Sequence, residues 1–181
     1  MADKTKVIET ERLLLRKFEE SDIENVFNNY SSRDKVTEFL TWKAHKTIED
    51  TKSFISGFVI PSYKEDDTYR WAIVLKETNE VVGSIDVVRM NKAFSRAELG
   101  WVLSDDYWGK GFMPEAAKEV LNYLIEEGFS RIEAHHNVLN EKSGRVMEKI
   151  GMKYEGTLKK YGRNNDGELI DVKMYAYVAE D

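Results

Sequence analysis

Residues 96–151 read RAELGWVLSDDYWGKGFMPEAAKEVLNYLIEEGFSRIEAHHNVLNEKSGRVMEKIG, and their pattern decides the fold. Ala97, Leu99, Trp101 and Leu103 alternate with Glu98, Gly100 and Val102, which is the period of a strand. Pro114 suits the first turn of a helix, because the amide it lacks would have had no intrahelical partner. Ala117, Val120, Leu121, Leu124 and Ile125 then form one stripe at three-to-four spacing, and Gly128 supplies a stop. A second strand follows, and Asn140 opens a short helix.

Between the first strand and its helix lies Trp108-Gly109-Lys110-Gly111-Phe112-Met113. The free amides of such a loop sit at the positive end of a helix dipole and can hold a phosphate, and glycines let the backbone approach an anion. The same pattern also describes a plain strand-to-helix connection. It is neither G-x-x-x-x-G-K-[ST] nor G-x-G-x-x-G.

Outward from this core, Glu11 to Phe18 reads as a strand. Ser21-x-x-Glu24 reads as a capping box, with Ile23, Val26, Phe27 and Tyr30 as the inward stripe of a helix. Ser31 to Lys46 is irregular and carries Phe39, Leu40 and Trp42, a satellite core or the lining of a site. Thr47 or a neighbour caps a second helix with Ile48, Thr51, Ile55 and Phe58 on one face, closing near Pro61. Trp71 to Lys76 and Val81 to Val88 are strands about a Thr78-Asn79-Glu80 turn. Met152 to Arg163 and Leu169 to Val178 are joined by Asn164-Asn165-Asp166-Gly167, a tight-turn signal.

The 181 residues suit one domain spanning 1–181, of α/β (α+β) class, with a mixed central sheet flanked by about four helices. Hydrophobic content of 41% and charged content of 33% are ordinary for a soluble globular chain. Without cysteine there is no disulfide, thiol nucleophile or zinc-thiolate site. No apolar run approaches a membrane span and the first residues do not open a signal peptide, so no membrane is expected and the cytoplasm is the default. A net charge of −6 argues against nucleic acid and is compatible with a cationic amine. His135 and His136 are adjacent on a strand and point to opposite faces, so no metal site is expected of them.

Four stretches, in order, resemble the GNAT superfamily of acetyl-CoA-dependent N-acetyltransferases, nearest its RimJ/RimL-like branch. They are Thr10-Glu11-Arg12-Leu13-Leu14-Leu15-Arg16, Ala97-Glu98-Leu99-Gly100-Trp101, Tyr107 through Met113, and Asn140-Glu141-Lys142-Ser143. The chain departs from the wider superfamily at Trp108, where Gln or Arg is usual, and at Met113, in place of a final Gly or Ala. The resemblance implies the GNAT fold, acetyl-CoA as co-substrate without a metal, and an acceptor that is a protein N-terminus or a small amine. It leaves monomer and homodimer open, and implies that the first two helices wall the acceptor site.

It also implies that Trp101, Val102, Leu103, Trp108, Gly109, Lys110, Gly111, Phe112, Met113 and Asn140 bind the cofactor, Asn140 on its pantetheine arm. Asn140 is equally the N-cap of its helix. Ser143, on a face with Val146, Met147 and Ile150, is implied to act on the leaving thiolate; otherwise its hydroxyl bonds a carbonyl one turn back. Met147 stands where many relatives carry tyrosine. Glu98 is implied as general base, or is a half-exposed strand residue paired with Arg96 or Lys92. Tyr154 and Tyr161 are spare candidates. A module that binds acyl-CoA without turning it over is the alternative to an enzyme.

Overall fold

The computed structural model describes residues 4–180. A two-residue strand, β1 (Ile8–Glu9), precedes β2 (Leu13–Arg16), so the first expected strand is shorter than its apolar run and gains a neighbour. Leu13 and Leu15 are fully buried and alternate with half-buried Leu14 and Arg16. The expected capping box at Ser21-x-x-Glu24 does not form. The Asp22 carboxylate instead accepts the Glu19 N–H at 2.8 Å and both terminal nitrogens of Arg16 at 2.8 Å. A buried acid held by a guanidinium fork outcompetes an exposed serine. α1 (Ile23–Val26) then widens into a π turn over Phe27–Ser31, and a short helix not foreseen, α2 (Asp34–Thr37), follows.

α3 (Ile48–Phe54) begins as expected at Thr47, whose Oγ1 accepts the Asp50 N–H while the Asp50 carboxylate accepts the Thr47 N–H at 2.9 Å. It runs through a π turn at Ile55–Val59 into α4 (Ile60–Ser62). The inward stripe is Thr51, Ile55 and Val59, whereas Ile48 and Phe58 are exposed, against the expected set. A turn with more than four residues keeps the buried spacing at four instead of falling back to three. Replacing Thr47 with alanine removes half of the reciprocal cap. It is expected to lower stability by about 1 kcal/mol, read by denaturant unfolding.

β3 (Arg70–Leu75) and β4 (Val81–Asn91) pair antiparallel about a turn in which Asn79 takes φ 60°. Then come β5 (Arg96–Leu103), α5 (Phe112–Glu126), β6 (Arg131–Asn137), α6 (Glu141–Lys149), β7 (Lys153–Arg163) and β8 (Leu169–Val178). The strand order is β1-β2-β3-β4-β5-β6-β8-β7, with β5 and β6 parallel and β7 and β8 an antiparallel hairpin closed at Gly167, φ 81°. This is the mixed sheet with helices expected of an α/β chain. Among the described residues no helix is long and apolar enough to cross a membrane.

The chain divides into two compact units, Met1–Thr37 with Ala44–Asp86 and Trp101–Phe112, and Glu38–Lys43 with Val87–Gly100 and Met113–Asp181. In the first, Leu13, Leu15, Val26, Ile55, Trp71 and Ile73 are core residues, and the Trp71 indole donates to the Lys6 carbonyl at 2.7 Å. In the second, the expected α5 stripe is buried at Ala117, Val120, Leu121 and Leu124. Ala97, Leu99, Ile132 and Ala134 are buried on the strands.

Candidate active site

The glycine loop belongs to the first unit. A 3-10 turn over Asp105–Tyr107 leads into Trp108–Gly111, and α5 starts at Phe112, with Pro114 in its first turn. Arg33 clamps that turn at 2.7 Å from both Asp105 and Asp106, and Lys35 adds a contact to Asp105 at 3.0 Å. Arg33 foremost holds the Asp105 carboxyl below the usual carboxylate range, aided by Lys35. Gly109 and Gly111 take φ 75° and 82°, where L side chains are strained. A Cβ at Gly109 would meet nothing within 4 Å, and one at Gly111 would lie 3.5 Å from Arg12 Nη2. Backbone conformation, not crowding, is what requires glycine here.

Side chains of the loop brace it. The Trp108 indole donates to the Leu103 carbonyl at 2.8 Å. Arg12 donates to the Lys110 carbonyl at 3.1 Å and lies 4.1 Å from the centre of the Phe112 ring. Arg12 belongs to the stretch Thr10–Arg16, whose resemblance implies no role for it; its place beside the loop comes from the fold alone. Trp101 and Val102 are half-buried and Leu103 buried, and the Val102 carbonyl packs so tightly on Gly83 that any Cβ there would collide with it. The first amides of α5 lack intrahelical partners by geometry, which makes the loop a ready anion cradle. Met113 is already inside α5 and buried.

Glu98 belongs to the second unit. It is buried, not half-exposed, and Arg96 pairs with Glu133 instead. Its Oε1 lies 2.5 Å from His135 Nδ1, and Oε2 lies 3.9 Å from Arg89. Strand register explains the pairing. β5 and β6 run parallel with Arg96 opposite Arg131 and Glu98 opposite Glu133, so the alternate residues 96, 98, 131, 133 and 135 share one face. Among the described residues the β5–β6 ladder ends at Glu98, although β5 continues to Leu103 and β6 to Asn137. Glu98 therefore stands where two parallel strands cease to pair.

Arg89, Arg96, Glu98, Glu133, Glu155 and Tyr161 line a cavity of about 640 Å³. Arg131 binds Glu133 at 2.6 Å and forks onto both oxygens of Glu155, which holds the Glu155 carboxyl below its ordinary range. The Tyr161 ring meets the His135 ring edge-on at 5.6 Å, so this tyrosine supports the pair. A carboxylate at a cavity wall with an imidazole behind it can take a proton from a bound amine and share the resulting charge.

His136 points the other way, as strand alternation requires. It lies under α6, so close to Gly144 that a Cβ there would come within 2.7 Å of its Nε2. Burial lowers its pKa, which favours the neutral ring. Asn140 caps α6, its side chain accepting the Ser143 N–H at 3.4 Å. Ser143 is half-buried on a face with buried Met147 and Ile150. The hydroxyl of Ser143 makes no bond to a carbonyl one turn back among the described residues. Ser143 is not among the residues that line the cavity.

Residues 12–153 match the Acetyltransferase (GNAT) domain family. The chain is 33% identical over 173 residues to YoaA, an uncharacterized N-acetyltransferase of Bacillus subtilis (strain 168), covering 95% of this chain and 96% of the relative. The crystal structure of a GNAT-family acetyltransferase from Bacillus anthracis shares the fold at a TM-score of 0.82 and 34% identity, covering 97% of this chain and 100% of that one. A ribosomal-protein-serine acetyltransferase of Escherichia coli (strain K12) is 26% identical over 133 residues, 73% of this chain and 72% of the relative. The chain belongs to the GNAT family of acetyltransferases, and it is an enzyme of that class. The structure of a ribosomal-protein-S5-alanine acetyltransferase from Vibrio fischeri also shares the fold, at a TM-score of 0.82 and 23% identity, covering 97% of this chain and 98% of that one.

Proposed function

We propose that the protein moves an acetyl group from acetyl-CoA to a primary amine by direct transfer, with Glu98 as general base. The observation that carries this reading is the buried Glu98 carboxylate at the cavity wall, 2.5 Å from His135, at the residue where β5 and β6 stop pairing. An amine arrives mostly protonated near neutral pH. Glu98 takes its proton, directly or through one water, and the freed nitrogen lone pair attacks the acetyl carbonyl carbon. The carbon–sulfur bond breaks, the nitrogen gives up its second proton, and the departing sulfur takes one.

Acetyl-CoA supplies the thioester. The amides of the Trp108–Met113 loop suit its pyrophosphate, and the strand end Trp101, Val102 and Leu103 with Asn140 suit its pantetheine arm. Ser143 hydrogen-bonds the sulfur as the bond breaks. The acceptor is a protein N-terminus or a small amine. The test is acetyl-CoA consumption against a panel of peptides and small amines, with mass spectrometry of the products. N-acetylated product formed in step with coenzyme A is expected; consumption of acetyl-CoA by water alone would defeat the reading.

Ser143→Ala separates the sulfur role from packing. The hydroxyl has no bond within the helix to lose, so stability should hold. Turnover and kcat/KM should fall together by about ten- to a hundredfold, with acetyl-CoA affinity unchanged. Weakened cofactor binding with normal turnover at saturation would make Ser143 a binding residue instead.

A further inference from the structure

The charges around the Glu98 cavity are unevenly presented, and that asymmetry names a substrate class. Three of the lining residues are acids and two are arginines. All three acids are paired; Glu98 and Glu133 are also turned in, whereas the Glu155 side chain is 39% exposed. The Glu98 side chain is 6% exposed and bound to His135, and that of Glu133 is 12% exposed and held between Arg131 and Arg96. Glu155 is forked by Arg131. The arginines are turned out. The Arg89 side chain is 65% exposed and approaches Glu98 no closer than 3.9 Å, beyond hydrogen-bond length; that of Arg96 is 50% exposed and meets Glu133 through Nε at 3.5 Å, which leaves the outer edge of its guanidinium out of that pair.

An incoming ligand therefore meets guanidinium at the mouth and carboxylate at the wall, although the chain as a whole carries −6. A polyamine is poorly served by this arrangement, because its distal ammonium groups would face Arg89 and Arg96. A guanidinium fork instead matches carboxylate or phosphate through paired N–H donors. Resting on the reading of this cavity as the acceptor site, we propose that the preferred acceptor is a small primary amine that carries a carboxylate or phosphate a few bonds from its nitrogen. Glu98 receives the amine end, and Arg89 and Arg96 hold the anionic end and orient the nitrogen. The overall acidity of the chain is compatible with a cationic acceptor; local exposure outweighs it, since screening leaves near charges to dominate.

The test compares 3-aminopropanoate and 4-aminobutanoate with their carboxamides, alongside spermidine and a peptide with an N-terminal aspartate, in the wild type and in Arg89→Gln and Arg96→Gln. The wild type should acetylate each carboxylate with a kcat/KM at least about tenfold above its carboxamide, as a charge-assisted pair supplies. That ratio should fall toward one in either variant. Because each variant is read as a ratio of two amines, general damage to the enzyme cancels. A wild type that prefers spermidine or the carboxamides, a preference confined to the acidic peptide, or a ratio unchanged in both variants would overturn the assignment. Calorimetry of 3-aminopropanoate against its carboxamide reads the same selectivity without turnover. Charge-selective binding with no amine acetylated would support the ligand class while overturning the transfer reading.

Discussion

Glu98→Gln is expected to lower kcat/KM by about a hundredfold to ten-thousandfold near neutral pH, the range for loss of a positioned general base. The substitution keeps the shape of the side chain and an oxygen able to accept from His135, so the buried site should remain packed. What disappears is the ability to take a proton from the bound ammonium. The deficit should then depend on pH in one direction. As pH rises toward the amine's own pKa, more of it arrives deprotonated and needs no base, so the variant should recover relative to wild type. A pH–rate profile parallel to that of the wild type, in a variant of unchanged denaturant midpoint, would remove Glu98 from the role.

Gly111→Val should have the next largest effect, on cofactor binding. Gly111 holds φ 82°, which a β-branched residue adopts only under strain of about 1–3 kcal/mol. No neighbour blocks the new side chain, since the nearest atom to a Cβ is Arg12 Nη2 at 3.5 Å. The loop relieves the strain by turning its peptides, and amides aimed at an anion lose their aim. Acetyl-CoA affinity should weaken by about ten- to a hundredfold, the same strain expressed as a binding constant. Far-ultraviolet circular dichroism should be unchanged, because the loop lies outside the core strands. Unaltered affinity by calorimetry in a folded variant would show that the loop amides do not hold the cofactor.

These two residues differ in how far local sequence could reach them. The Gly111 loop is a local device: an alternating strand, two glycines and a proline-bearing first turn lie within twenty residues, and the periodicities change where the structure changes. Asn140 is of the same kind, a cap read from its position before a helical stripe. The helix over Ile48–Ser62 was found but phased wrongly at Phe58, because a π turn leaves no mark that residue-type periodicity detects. The cap at Asp22 was misplaced because its strength comes from Arg16, a strand residue outside the motif.

Glu98 was legible as a candidate, but its surroundings were not. His135 lies 37 positions away in sequence and reaches Glu98 through the parallel register of β5 on β6, which is a tertiary fact. Strand alternation did carry part of the signal. It separates His135 from His136, and once β5 and β6 are adjacent it leaves His135 on the Glu98 face. Alternation puts Arg96 on the Glu98 face, but nothing in the sequence marks Arg89, or the exposure of either arginine at the cavity mouth, since exposure of a charged side chain follows from what packs beside it.

The most direct measurement is a single turnover. Equimolar protein and acetyl-CoA are mixed with an excess of a primary amine and quenched, and the amine, the cofactor and the intact chain are weighed by mass spectrometry. Direct transfer predicts one acetyl group on the amine nitrogen for each coenzyme A released, with the chain unmodified at every time point. Acetyl-CoA that stays bound and intact with every amine offered, or a chain that gains the acetyl group before the amine does, would contradict it.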